Sequence, residues 1–392
     1  MERNVFVVSA VRSAIGDFGG IFRTLTPIHL VTPVMKASIE RSGLPMEKIG
    51  KVILGNTLSP LNPNIARGAA ITCGISPEVP SFSIHCACAS AMQALISGVS
   101  ALILGEAETA LVGGVESMSN APYILASTRW GQRLRHAQAI DQLWWGMQED
   151  PIMGGMGLAA DSLAKQYGIS REEQDELAAL SHQRALNAES KGYFAKEIVP
   201  IEVKDGKRVT VVNKDEHPRQ DTTFDNLAKL KPAFSPEGTV TAGNASSIND
   251  GASAIVLATG DVCKQYALKP LAKVGPWSIK AVDPKLTGVA PVPAIKEVIQ
   301  TAGLTLSDIG LIEINEAFAS YYLACEKELK LNRSRVNVNG SGISLGHPVG
   351  ATGSRLVVTL IHEMIRSNVS LGIASLCAGG GMGYAILLKR DF

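Results

Sequence analysis

The same succession of pieces occurs twice in this chain, and any fold it adopts has to accommodate both copies. In the first half, short β-rich runs, VFVVSA (5–10), KVILGN (51–56) and TALVGG (109–114), are separated by helix-length stretches. In the second half LAKVGPWSI (271–279), LIEIN (311–315), VNVNG (336–340), GIASLCA (372–378) and YAILLK (384–389) read as strands, with helices expected over 291–303, 317–330 and 350–366. Alternation of this kind specifies a layered α/β architecture. Each end also places a strand, a turn bearing glycine or cysteine, and an apolar helix in succession. That points to an internal duplication, although sequence identity between the halves is faint, and to two similar halves facing each other.

Residues 119–246 break the plan. They are more charged and carry Trp130, Trp144 and Trp145, a basic patch at Arg129, Arg133, Arg135 and His136, and a glycine cluster at 154–157. They read as an inserted domain, so the expected division is 1–118 with 247–269, 119–246, and 270–392. Inside the insertion, Ser170 and Glu173 form a capping-box pattern at the head of a helix that Gly192 stops, and the charges of this helix read as a solvated face.

Composition narrows the function classes. Of 392 residues, 46% are apolar and 19% charged, which fits large buried interiors. Thirty-seven basic and thirty-six acidic residues leave a formal charge of +1, so no overall field favours nucleic acid or a membrane surface, and an anionic ligand has to be held locally. The start, MERNVFVVSAVRSA, reads as a first strand and not as an export signal, and a cytoplasmic location is expected. The apolar segments around 88–105 and 349–365 are interrupted by polar residues, fall short of a membrane span, and read as buried helices. Six scattered cysteines have no framework spacing and are expected to be free thiols, with Cys73, Cys263 and Cys325 as small core residues.

The stretch IHCACAS poses the chemical question. A structural zinc needs four ligands, usually as spaced pairs, and no second pair accompanies His85, Cys86 and Cys88. A disulfide-exchange site would use C-x-x-C at a helix start, whereas this is C-x-C in a chain several times too long for a thioredoxin-like unit. A single thiol at the head of a buried helix remains, where free N–H groups and the helix dipole favour thiolate. Cys88, followed by Ala89, Ser90 and Ala91, fits best. A thiol nucleophile needs a base, and His347 sits in the glycine-rich VNVNGSGISLGHPVGATGSR between a strand and an apolar helix. In ASLCAGGGMGYA, Cys377 ends a strand before three glycines, whose N–H groups can line a cavity, cradle a phosphate, or simply turn the chain.

Together these residues resemble the thiolase family of acyl-CoA C-acyltransferases. The likeness spans nearly the whole chain: VVSAVRSAIGDFGG, the CxS segment at 88–90, VGGVESMSNAPY (112–123), MGLAAD (156–161), TAGNASSINDGASA (241–254), INEAFA (314–319), the His347 segment and SLCAGGGMG. It implies a five-layered αβαβα core of two similar halves with an inserted loop domain, assembled as a homodimer or homotetramer. It implies Cys88 as the acylated nucleophile, His347 as the group that takes its proton, and Cys377 as the acid/base serving the second substrate. His347 with a water held by Asn315 would form one oxyanion hole, and the N–H groups of Cys88 and Gly379 a second. Arg219, Ser246, Met156 and Phe318 would line the groove for coenzyme A, with Glu316 in the same motif as Phe318. Coenzyme A and acyl-CoA enter as substrates; no prosthetic group, metal, nucleic acid or membrane partner is implied. The basic patch and tryptophans of 119–150 would contact coenzyme A or neighbouring subunits.

The chain departs from the family's pattern at His85, usually Asn; at Cys88-Ala-Ser-Ala91, usually C-G-S-G; at Ser247, commonly Gly; and at Gly155, a histidine in acetoacetyl-forming thiolases. These changes touch the walls around the thiol and bear on acyl-chain preference. Two competing expectations remain: a decarboxylating ketoacyl synthase, disfavoured by the intact CAGGG, and a non-catalytic acyl-CoA binder.

Overall fold

The computed structural model of the protein describes residues 3–59, 61–134, 136–149, 151 and 155–391. Arg135 of the basic patch and Gly154 of the glycine cluster lie outside the described residues.

The first half contributes β1 (Val5–Arg12), β2 (Val52–Gly55), β3 (Ser81–Ile84), β4 (Thr109–Ser117) and β5 (Asn249–Thr259), in spatial order β3-β2-β4-β5-β1. The second half contributes β6 (Ala272–Ala281), β7 (Leu311–Ile314), β8 (Leu371–Ala378) and β9 (Met382–Lys389), in order β7-β8-β9-β6. The two halves follow one topology. Strand β1 pairs antiparallel with β5, β5 antiparallel with β4, and β4 parallel with β2, just as β6 pairs with β9, β9 with β8, and β8 with β7. The halves join where β1 meets β6 antiparallel, with Phe6 opposite Lys273 and Val7 opposite Ala272.

The strand expected at VNVNG does not form. Only a single parallel bridge links Val336 to Ile312, because Asn337 turns to φ 48 and breaks the extended run. Its side-chain amide replaces the lost ladder: Oδ1 accepts from the Ile314 N–H at 2.8 Å and Nδ2 donates to the Ile314 carbonyl at 2.8 Å.

Three cores separate five layers. Helices α1 (Pro27–Ser42) and α2 (Ile65–Cys73) bury Val31, Met35 and Ala69 against the outer face of the first sheet. Helix α3 (Ser90–Leu104) lies on the inner face. Residues 119–246 supply α4 (Gln142–Gln148), α5 (Met156–Gln166), α6 (Arg171–Ser190) and the hairpin Ile201–Asp205 with Arg208–Val212. In the second half α7 (Pro291–Thr301) and α8 (Ala319–Leu329) cover the outer face, while α9 (Val349–Arg366) packs beside α3 between the sheets. In the central strands residues alternate between cores, so these strands keep no polar face. Tyr384, Ile386 and Leu388 of β9 face the middle, and Ala385 and Leu387 face outward. Runs apolar at every position are what strands covered on both faces require.

Among the described residues, Ala87–Leu104 is in fact long and apolar enough to cross a membrane, with mean hydropathy 1.8. Its position in the middle layer accounts for most of that composition: ten of its residues from Ser90 to Leu102 are buried, while Gln93, Ser97 and Ser100 form a half-buried polar stripe. Helix α6 keeps most of its charges on an exposed or half-buried face, Glu172 and Glu176 among them, but its opposite face is more polar than an ordinary core face. The capping box is present, but Gln174, Asp175, Ser181 and His182 are buried. Ser181 donates to Glu316 at 2.6 Å, Asp175 accepts from Asn244 at 2.9 Å, and His182 accepts from the Arg219 N–H at 3.1 Å. The polar residues of this helix hold the loops that surround the site.

Helices α3 and α9 meet backbone to backbone at their first turns. A Cβ on Gly353 would lie 2.4 Å from the Met92 nitrogen, and one on Gly114 of β4 would lie 2.0 Å from the Gly350 carbonyl oxygen. Gly353→Ala is therefore expected to destabilise the fold by about 1–3 kcal/mol through overpacking, read as a lower urea midpoint with an unchanged slope.

Candidate active site

Cys88 stands on the tight turn that leads into α3. Ala87 sits at φ 45, a conformation uncommon for a residue with a side chain, and local bonds support it: the Ala89 N–H reaches the Cys86 carbonyl at 3.0 Å, and the Ser90 hydroxyl donates to the Ala87 carbonyl at 2.7 Å while accepting from the Cys86 N–H at 2.8 Å. Ala89 offers no side-chain cap, and the Ser90 N–H at the head of α3 bonds instead to the Ala87 carbonyl at 3.1 Å. Burial pushes the Cys88 thiol up to about 11, opposed by the N–H groups of Gly379 and of Cys88 itself, which favour the thiolate. His85 is exposed, with Nδ1 3.5 Å from the Ala87 N–H, and the Cys86 thiol bonds to the Tyr384 hydroxyl. Among the described residues, no three His, Cys, Asp or Glu side chains gather as a metal site. All six cysteines are free, with Cys73, Cys263 and Cys325 buried.

His347 precedes α9, after Gly346 at φ 103. Its backbone N–H donates to Asn249 Oδ1 at 2.8 Å. Ring Nδ1 lies 2.7 Å from the Thr352 hydroxyl, which donates its own proton to the Pro348 carbonyl at 2.9 Å. Thr352 can therefore only accept, which places the proton on Nδ1 and leaves Nε2 as a basic nitrogen. Burial, then the charge of Arg355, lowers the imidazole to about 3, so it is neutral in ordinary buffers. Asn315 Nδ2 stands 3.3 Å from Nε2.

Cys377 ends β8, buried beside Cys88. Its thiol is held well above its ordinary value by burial, then by the charge that Cys88 carries when ionised. Below it Glu316 is fully engaged, accepting from Ser181, from Asn337 Nδ2 at 2.9 Å and from the Ile343 N–H. Glu316 braces the loop that carries His347 and does not face substrate space.

A cavity of about 560 Å³ opens onto Cys88 and His347. Arg219, Ser246, Met156 and Phe318, the residues expected to line a coenzyme A groove, all line it. Cys377 is not among the residues on its wall, but it lies close enough to Cys88 for the charges of the two thiols to interact. The segments explain themselves locally. Gly157 lets the Phe234 ring lie against α5, Asp161 accepts from the N–H groups of Thr239 and Val240 at 2.8 and 2.9 Å, and the Ser246 N–H reaches the Ala317 carbonyl at 2.9 Å. The Phe318 ring stacks edge-on with Phe234 and Tyr321. Gly155 takes φ 91 with no room for a Cβ, which would meet the Gln148 carbonyl at 2.8 Å; the backbone here excludes the histidine of other family members.

Sequence reasoning missed Asn249 and Thr352, which place the imidazole, and Met147 and His217 on the cavity wall, where Trp144, one of the tryptophans expected to contact coenzyme A or a neighbouring subunit, also stands. Asn249 and Thr352 lie inside the recognised segments, but an uncharged amide or hydroxyl carries no signal of its own in a single sequence.

This fold and site place the chain in the thiolase family. It matches the family's N-terminal domain over residues 5–261 and its C-terminal domain over 268–390. It is 41% identical to a beta-ketothiolase of Cupriavidus necator over 393 residues, covering all of both chains, and 43% identical to an acetyl-CoA acetyltransferase of Pseudomonas aeruginosa over 396 residues, covering 99% of this chain and all of the relative. Among solved structures, the Bacillus anthracis acetyl-CoA acetyltransferase superposes with TM-score 0.97 at 47% identity, covering 99% of each chain. The human mitochondrial 3-ketoacyl-CoA thiolase in complex with CoA superposes with TM-score 0.95 at 39% identity, covering 100% of this chain and 98% of that one. The protein is an acyltransferase with thiolase activity; neither the ketoacyl synthase nor the non-catalytic alternative is favoured.

Because the raised thiol is the protonated form at every pH below its own titration, free Cys88 is expected to react with iodoacetamide at a rate rising about tenfold per pH unit from pH 7 to 9, without a plateau below pH 10. Mass spectrometry localises the adduct, and a plateau below pH 8 would show a preformed thiolate instead.

Proposed function

We propose that the protein catalyses reversible Claisen condensation of acetyl-CoA with an acyl-CoA, and the reverse thiolysis of 3-ketoacyl-CoA, through an acyl-enzyme on Cys88. The observation that carries this reading is the convergence of the Gly379 and Cys88 N–H groups on the Cys88 thiol, beside a neutral imidazole that faces the same cavity. His347 Nε2 takes the thiol proton as Cys88 attacks the thioester carbonyl, and the two N–H groups receive the oxyanion. The departing CoA thiolate takes a proton from Cys377. The Cys377 thiolate so formed removes the α-proton of acetyl-CoA, and the enolate oxygen is held by His347 and a water on Asn315. The carbanion attacks the acyl group, and Cys88 leaves and recovers its proton from the imidazolium. Protons balance over the cycle without exchange with solvent, which suits two buried thiols.

Coenzyme A occupies the cavity with its nucleotide phosphates towards exposed Arg219, whose guanidinium suits them. The likeness to the human thiolase crystallised with CoA supports that placement. The relatives include both acetyl-CoA acetyltransferases and a 3-ketoacyl-CoA thiolase, so the acyl chain spans short to longer lengths in this reading. A homodimer or homotetramer is supported by the open edge of β3, where Phe82 is exposed, and by Tyr123, Trp130 and Leu134 standing out from the inserted domain.

Cys88→Ser is expected to abolish labelling by radiolabelled acetyl-CoA. Cys377→Ser is expected to acylate but to lose condensation and α-proton exchange by at least a hundredfold; condensation at the normal rate would show that the roles are wrongly divided. Thiolysis rates across a series of 3-ketoacyl-CoA lengths then fix the preferred substrate.

A further inference from the structure

The turn that carries Gly379 has an unusual weakness. Ala378 pairs with Met382 across the β8–β9 hairpin, so the connecting turn is Gly379, Gly380 and Gly381, with Gly380 at φ 90 and Gly381 at φ 81. Glycines have the widest conformational freedom of any residue. An N–H group that must meet an oxyanion, however, acts by being fixed before charge develops. Strand β8 holds Gly379 from one side only.

The other side is held from outside the hairpin. The Gly381 N–H donates to the Thr287 hydroxyl at 3.0 Å, and the Gly381 carbonyl accepts from the Val282 N–H at 2.7 Å. Thr287 is buried on the helical turn Pro284–Val289, and its hydroxyl proton is committed to the Pro284 carbonyl at 2.7 Å, so the oxygen is turned towards Gly381 as an acceptor. The fit is close, because a Cβ on Gly381 would fall 2.4 Å from the Val282 carbonyl oxygen. We propose that Thr287 is a positioning residue for the reaction: its hydroxyl clamps the glycine turn and thereby aims the Gly379 N–H at Cys88. Nothing else in the described residues bonds the Gly381 N–H, so removal of the hydroxyl loosens the turn, which the Val282 N–H still holds by the Gly381 carbonyl, and leaves a buried donor unpaired.

This assignment rests on the reading of Cys88 as nucleophile with Gly379 as its oxyanion donor, and the test separates the two. Thr287→Ser and Thr287→Ala differ by the hydroxyl alone. The Ser variant is expected to keep wild-type kcat and wild-type alkylation of Cys88. The Ala variant is expected to lose kcat about tenfold with KM for CoA unchanged, and to alkylate at a fixed pH of 9 several-fold more slowly, because its thiolate has lost a donor. Thr287→Val, which preserves volume, is expected to behave as Ala does. If Ala destabilises the protein but alkylates and turns over like wild type, or if Ser loses as much as Ala, Thr287 is structural only and the proposal falls. If wild-type Cys88 is not labelled by acetyl-CoA, the reading of the site falls instead.

Discussion

The contact on which the site depends is the backbone-to-backbone crossing of α3 and α9 at their first turns. Gly353 against Met92, and Gly114 against the Gly350 carbonyl, leave no space for a side chain. That absence brings two helix N-termini from different halves of the chain to one place. Cys88 immediately precedes one helix and His347 the other, so neither group depends on a long flexible loop for its position. The N–H groups of Gly379 and of Cys88 itself surround the half-buried thiol with partial positive charge.

Burial shapes the chemistry as strongly as proximity does. A thiol raised by burial and an imidazole lowered by burial do not form a stable ion pair in the resting protein. They remain neutral, and in the proposed reaction charge appears only when the thiol attacks and its proton moves to Nε2. Neutral resting groups avoid the cost of burying two ions, while the fixed N–H donors act on the charge that develops in the transition state. The tautomer this requires is set by a residue with no acid–base role, Thr352, whose single proton is already given to Pro348.

The two halves, the insertion and the residues proposed to react each leave a pattern in the sequence: β-rich runs at matching spacing, a change of composition, and cysteine or histidine in glycine-rich turns. What escaped was whatever depends on which face a residue presents. The run VNVNG reads as a strand, yet Asn337 makes its pairings through its side-chain amide. Helix α6 has the composition of a surface helix, yet Asp175, Ser181 and His182 turn inward to hold loops, because those loops present unpaired N–H groups and polar side chains that a hydrophobic helix would leave unsatisfied. Asn249, Thr287 and Thr352 share this character. They position other groups, and residues of their type are common everywhere in a chain.

The duplication also explains why the site is asymmetric. Helices α3 and α9 occupy equivalent places in the two halves, each entering strand β4 or β8, and the ends of those strands lie beside the helix crossing. At the end of β4 stands Glu116, which accepts from Asn56 Nδ2, from the N–H and hydroxyl of Thr57, and from the N–H groups of Leu58 and Gly350. Its carboxylate ties the first turn of α9 to the first half. At the end of β8 stands Cys377, with no such set of donors, beside Cys88. One copy of the strand end is a brace and the other carries the thiol that the proposed reaction uses as its acid/base. A fully symmetric pair of halves could supply two nucleophiles or two braces; a two-stage reaction needs one nucleophile, one base and a separate acid/base, and it is the divergence between equivalent positions that provides them.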